Sequence, residues 1–226
     1  MNGKAQILTR IREALRELAP VPGHHGEGAL HHGEPPKDFG GWLPPVGESL
    51  DEQIALFAKN SEDLKTEFHV LGSEAELPAR LAAFSAENGW KRVATHRGAL
   101  TDATVSALKL PTLQTELGYS VTELEQCDAG ISECDALVAQ TGSVLITGRS
   151  AGGRALSVLP PHHIVLVRRE QMVSDIPAAY ALLRQNYGAN WPSFMSFITG
   201  PSRTGDIERI LVLGAHGPKR LTVFLV

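Results

Sequence analysis

From Ser49 to Lys109 the sequence alternates between two periodicities, and this alternation constrains the fold more than any single motif does. Segments with amphipathic-helix spacing, Ser49 to Lys65, Glu74 to Asn88 and Ala99 to Lys109, are separated by short strand-like runs at Phe68 to Leu71 and Arg92 to Ala94. A helix between two strands returns the chain to the end of the sheet where it started, so this order predicts βαβ units and a mainly parallel sheet. Beyond Asp128 the texture changes, and Ala136 to Ala139, Val144 to Thr147 and Ile164 to Val167 read as successive strands, some antiparallel. A helix over Asp175 to Tyr187, a strand over Phe194 to Thr199, a helix after Thr204 and a final strand over Leu221 to Val226 complete a predicted three-layer α/β arrangement.

This body is expected to occupy residues 48–226, preceded by a different kind of segment at 1–47. Ile7, Ile11, Leu15 and Leu18 share one face of a charged amphipathic helix that should stop at Ala19-Pro20, because the residue before a proline disfavours helical angles. Val21 to Gly47 is rich in Gly, Pro and His and reads as a long mobile loop. His24, His25, His31 and His32 lie there with Glu27 and Glu34, but a flexible loop does not preorganise a metal site, and none is expected.

A net charge of −4 with no dense Lys/Arg stripe argues against nucleic-acid binding. No apolar run reaches the ~18 residues of a membrane span, and the first helix does not resemble a secretory signal, so a cytoplasmic location is expected. Cys127 and Cys134 are too few to hold an iron-sulfur cluster alone and read as buried thiols. Neither a flavin nor a nicotinamide fingerprint is visible, so no cofactor is expected on the chain itself.

The densest chemistry lies in Gly200-Pro-Ser-Arg-Thr-Gly-Asp-Ile-Glu208 and Gly214-Ala-His-Gly-Pro218. Ile207, Ile210 and Leu211 have helical spacing closed by Gly214, which makes the first segment a predicted strand-to-helix turn. Asp206 and Glu208 suit a helix amino terminus, whereas Arg203 does not, unless a carboxylate or phosphate docks there and the guanidinium grips it. The plainer reading has Ser202 or Thr204 capping the helix and Arg203 paired with Asp206 or in solvent. His216 sits in a tight turn nearby, suited either to proton transfer or to a backbone hydrogen bond.

Weaker candidates lie elsewhere. Gln140-Thr141-Gly142-Ser143 reads as a hairpin turn whose hydroxyls are available to a ligand. Thr95-His96-Arg97-Gly98 follows a strand and opens a helix, the position that binds ligands in open α/β sheets. Gly148 to Arg154 has the composition of a phosphate cradle but matches no nucleotide fingerprint and reads as a surface loop. His162 and His163 are expected to be half buried and hydrogen-bonded.

The ordered set Gly-Ile-Ser at 130–132, Gln-Thr-Gly-Ser at 140–143, Leu-Pro-Pro-His-His-Ile at 159–164 and the two C-terminal segments resembles the LUD-domain family, in its lactate-utilization protein C branch. The likeness covers Leu110 to Val226 specifically and the first hundred residues loosely. It implies a fold similar to the ribose-phosphate isomerase, glucosamine-phosphate deaminase and CoA-transferase group. It also implies an accessory or substrate-binding role in oxidising L-lactate to pyruvate, with iron-sulfur clusters carried by partner proteins. Gln140, where a glutamate is common, weakens any scheme with an acidic catalyst there, and Gly205 stands where alanine is frequent. Ser202, Arg203, Thr204, Asp206, Thr141, Gly142, Ser143 and His216 are therefore ligand-site candidates, with His216 the candidate catalyst. Two other roles stay open: a standalone enzyme on a phosphorylated or CoA-linked organic acid, and a regulatory or assembly module.

Overall fold

The computed structural model describes residues 3–14, 43–204, 212–214 and 216–226. The chain forms two units, Met1–Trp42 and Leu43–Val226. In the first, helix α1 (Gly3–Ala14) has Ile7 and Leu8 exposed. Leu15, Leu18 and the four loop histidines lie outside the described residues.

The second unit begins with α2 (Leu50–Leu64), started by a capping box in which Ser49 Oγ accepts from Glu52 N–H at 3.3 Å and Glu52 Oε2 accepts from Ser49 N–H at 3.0 Å. There follow β1 (Glu67–Val70), α3 (Leu77–Glu87), β2 (Val93–Thr95), α4 (Ala99–Val105), β3 (Thr112–Gln114) and α5 (Val121–Glu125). Next come β4 (Ala129–Glu133), β5 (Ala136–Val138), β6 (Ser143–Thr147), β7 (His162–Val167) and β8 (Met172–Val173). The chain closes with α6 (Ile176–Tyr187), β9 (Met195–Ile198), β10 (Arg203–Thr204), β11 (Val212–Leu213) and β12 (Arg220–Leu225).

Six strands form one sheet in the order β1-β12-β7-β4-β2-β3, with every neighbour pair parallel. The predicted mainly parallel, three-layer α/β class is the fold observed. The two faces follow from the period-2 alternation of strands. Val165 and Val167 of β7 with Leu221, Val223 and Leu225 of β12 join Ile54 and Phe57 of α2 in one core. Ile164, Leu166 and Phe224 point the other way, to Leu77, Leu81 and Phe84 of α3 and Leu100 of α4. Both central strands are therefore apolar on both faces, as a covered parallel sheet requires.

The second sheet runs β8-β5-β6-β9, with β5-β6 and β6-β9 antiparallel. Its Leu137, Val144 and Ile146 belong to the same core as α2, so it covers part of that face. Of the run of strands expected after Asp128, Ala136–Val138 and Ser143–Thr147 pair antiparallel in this sheet, whereas His162–Val167 is β7 of the parallel sheet.

One expected element needs correction. The chain does not pass from Ser202 into the first turn of a helix: Arg203–Thr204 is a strand paired antiparallel with Val212–Leu213, in register Arg203↔Leu213 and Thr204↔Val212. Arg203 therefore sits in a β ladder, with its backbone paired to Leu213. Residues 205–211, which carry the Ile207, Ile210 and Leu211 periodicity, lie outside the described residues.

Candidate functional site

The two C-terminal motif segments meet through their backbones. Ser202 N–H donates to Pro218 O at 2.9 Å, and Gly214 N–H donates to Ser202 O at 2.9 Å. Gly200 turns the chain out of β9 at φ +87, where a Cβ would stand 2.8 Å from Leu64 O, so only glycine fits without strain. Lys219 N–H donates to Pro161 O at 2.8 Å, tying the same junction to the Pro160-Pro161 turn that starts β7.

Between this junction, the amino ends of β7 and β12, and β9 lies a cavity of about 350 Å³. Ser157, Ser196, Thr199, Ser202, His163 and His216 supply its polar side chains, and Phe194, Ile198 and Leu221 much of its apolar wall. Among the described residues no lysine or arginine lines it. Arg203 is exposed in β10, yet its Nη2 lies 3.1 Å from where a Cβ on Gly200 would stand, which puts a cation beside the cavity wall.

The candidates from the 140–143 turn reach the same place indirectly. Thr141 Oγ1 and Ser143 Oγ are 2.8 Å apart, and Ser143 Oγ is 2.8 Å from Thr199 Oγ1, a row of hydroxyls ending at the cavity wall. Gly142 is a turn residue: it has φ +64, and a Cβ there would meet Asn60 Cβ at 2.8 Å and Leu64 Cδ1 at 2.9 Å. Thr204 contributes backbone pairing in β10, and Asp206 lies outside the described residues. Ser202 and His216 are thus brought together, Thr141 and Ser143 are connected to them through Thr199, and Arg203 stands at the margin.

His163 is the residue that sequence reasoning undervalued. It and its neighbour are buried outright rather than half buried, at 1% and 3% exposure. His162 faces the α3 side, with Nε2 2.8 Å from Thr222 Oγ1, and burial, with Arg220 and His163 adding to it, lowers its pKa to about 3. His163 faces the cavity side, with Nε2 2.8 Å from Ser132 Oγ, while its buried Nδ1 has no partner. Burial, reinforced by His96, lowers the His163 pKa to about 4. An unmet buried polar atom of this kind costs about 1–3 kcal/mol. Strand alternation was the available signal, since in β7 it puts His163 with Val165 and Val167 on one face and His162 on the other.

Two alternative sites come out differently. At the turn after β2 the helix-start amides are already taken by Glu133: Oε1 accepts from Leu100 N–H at 2.8 Å and Thr101 N–H at 3.1 Å. His96 is buried beside it, donating from Nδ1 to Arg97 O at 2.8 Å and accepting Glu133 N–H on Nε2 at 3.0 Å. The 148–154 loop borders a groove of about 380 Å³. Its arginines are already steered, Arg149 lying 5.2 Å over the Tyr187 ring and Arg154 5.8 Å over Phe194, the residue shared with the first cavity.

Both cysteines are buried, and burial pushes the Cys127 thiol up and the Cys134 thiol well above its usual value. Neither is poised as a thiolate. Among the described residues no group of three or more His, Cys, Asp or Glu is placed to hold a metal, and no helix is long and apolar enough to cross a membrane.

The LUD domain profile matches residues 54–226, the span that builds both sheets and the cavity. The chain belongs to the LUD-domain family. Among similar proteins, the Lactate utilization protein C of Oceanobacillus iheyensis is 29% identical over 192 residues, 80% of this chain and 82% of that protein. The Lactate utilization protein C of Deinococcus radiodurans is 32% identical over 163 residues, 68% of this chain and 70% of that protein. A crystal structure of a duf162 family protein from Deinococcus radiodurans matches with a TM-score of 0.58 at 27% identity, covering 80% of this LUD chain and 99% of that one.

Proposed function

We propose that this LUD protein takes part in lactate utilization as an accessory, organic-acid-binding subunit of a system that oxidises L-lactate to pyruvate alongside iron-sulfur partner proteins. The observation that carries the reading is the cavity that Ser202 and His216, from separate motif segments, line together with a largely apolar wall. Few convergent polar groups in an apolar cleft are the general form of a small-molecule site. The hydroxyls of Ser202 and Thr199 supply donors for a carboxylate, and Arg203 supplies an attracting charge beside Gly200. In this scheme electrons leave lactate for the clusters of the partners. The names of the two relatives support the pathway. The test is L-lactate-dependent reduction of an acceptor dye, without oxygen, by the purified iron-sulfur partners with and without this chain. Activity that requires the chain is expected; equal activity in its absence would sink the proposal.

A second reading is favoured by one feature, the groove flanked by Arg149 and Arg154 that shares Phe194 with the cavity. An organic acid extended by a phosphate or CoA group would suit both spaces, and the chain would then be an enzyme in its own right. Calorimetric titration with ATP, CoA and sugar phosphates tests this, and no heat from any of them would remove it.

A further inference from the structure

We propose that the Nδ1–H of His163 is a preset donor for a carboxylate or carbonyl oxygen bound in the cavity, with Ser132 fixing the imidazole tautomer. This rests on the organic-acid reading above and names the protein atom and the ligand group that meet.

Ser132 is fully buried, and among the described residues its Oγ has one partner, His163 Nε2 at 2.8 Å. Two arrangements of hydrogens fit that contact. If the hydroxyl donates to Nε2, the ring proton sits on Nδ1, and one group, the Nδ1–H, is left unmet. If Nε2–H donates to the hydroxyl instead, the buried hydroxyl hydrogen has no acceptor and Nδ1 is left as a bare acceptor. The first arrangement leaves one group unmet and the second leaves two, so the first is favoured.

The unmet N–H belongs to a residue on the cavity wall; the nitrogen itself lies just beneath the wall surface, so a ligand oxygen meets it with a small shift of the side chains over it. Leu221, the register partner of His163 on β12, lines the same cavity, so both present the same sheet face to it. With its pKa held near 4, the ring is neutral at ordinary pH and acts as a hydrogen-bond donor, not as a cation. A neutral N–H asks for an acceptor, which an acid or keto group supplies and an ammonium group does not. At about 350 Å³ the cavity is at the small end of small-molecule sites and exceeds the needs of a three-carbon acid, so acids with a larger apolar part also fit.

Nitrogen-15 NMR of the unligated protein reads the tautomer directly, and titration with L-lactate, pyruvate, 4-methyl-2-oxopentanoate and phenylpyruvate tests the ligand group. The expected result is a protonated Nδ1 and bare Nε2, with the Nδ1–H resonance moving downfield on addition of at least one acid. His163→Leu should weaken that binding by about tenfold or more, whereas His163→Asn, whose amide N–H falls near the Nδ1 position, should hold it within about threefold. Thermal melts check that both variants fold, and the tautomer measurement stands without them. An Nε2–H tautomer, no response to any of the four acids, or unchanged binding by folded His163→Leu would each overturn the proposal. Should the dye assay ignore this chain while these results hold, the lactate-system assignment falls and the donor assignment survives.

Discussion

The turn after β2 and the junction before β12 carry similar sequence chemistry, glycine and hydroxyl residues beside an arginine, yet they are opposite in state. The first lies at the carboxyl end of a parallel strand, where ligands of open α/β sheets usually bind, and it is already satisfied by Glu133 from β4. The second lies at the amino ends of β7 and β12 and retains His163, a cavity-lining residue whose buried Nδ1 is unpartnered. A donor-rich turn becomes a candidate site when the chain leaves its donors unfilled, and composition does not reveal which turns those are.

The largest expected effect concerns acid. His162 and His163 are kept neutral in the folded state, at about 3 and about 4 against 6.5 when free. A lowered histidine pKa contributes stability that is fully present above pH 6.5 and is lost as pH falls toward the folded values. At about 1.4 kcal/mol per unit of depression, the loss between pH 6.5 and 4 is on the order of 5 kcal/mol. Urea unfolding across that range measures it, and a flat profile would mean that the amino end of β7 is more hydrated than the burial of its two histidines implies.

Glu133→Ala is the next step down. It strips the acceptor from Leu100 and Thr101 N–H at the start of α4 and should cost about 2–3 kcal/mol while leaving binding in the cavity unchanged. A variant as stable as the parent would show that the filled turn is filled by chance. Ser202→Ala is smallest in stability and opposite in character: the melting temperature should move little, and carboxylate binding should weaken severalfold, about 1 kcal/mol. If the melt drops sharply and binding does not, Ser202 is a structural residue and the contrast between the two turns dissolves.

Much of the fold was legible because burial on both faces writes itself into composition. His162–Val167 and Arg220–Leu225 carry the apolar runs read as strands, and the helices at Leu50–Leu64 and Ile176–Tyr187 fall within the segments read as helical from Ser49 to Lys65 and Asp175 to Tyr187. β4 was not legible as a strand, although it lies between β7 and β2 in the sheet. Its Gly130 serves close approach, since a Cβ there would stand 2.4 Å from Leu156 O, and its Ser132 and Glu133 serve His163 and α4. Residues recruited for such partners hide the strand pattern, because those partners are distant in sequence. The site was legible in the same partial way. Ser202 and His216 stood out by type, whereas His163, Ser132 and Thr199 needed the sheet register and the β9 contact to join them.

The placement of β12 also governs when the molecule can become whole. It separates β1 from β7, and among the described strands β1 pairs with it alone, Glu67 opposite Thr222 and Val70 opposite Leu225. On a ribosome the β1 strand would emerge long before its neighbour exists and would wait, with its ladder edge and the Phe224-facing side of His69 uncovered, for the last of these strands to be released. Pairings so distant in sequence form slowly. A chain stalled short of Arg220 would therefore lack an inner strand of its sheet, a form that quality control can tell from the finished protein.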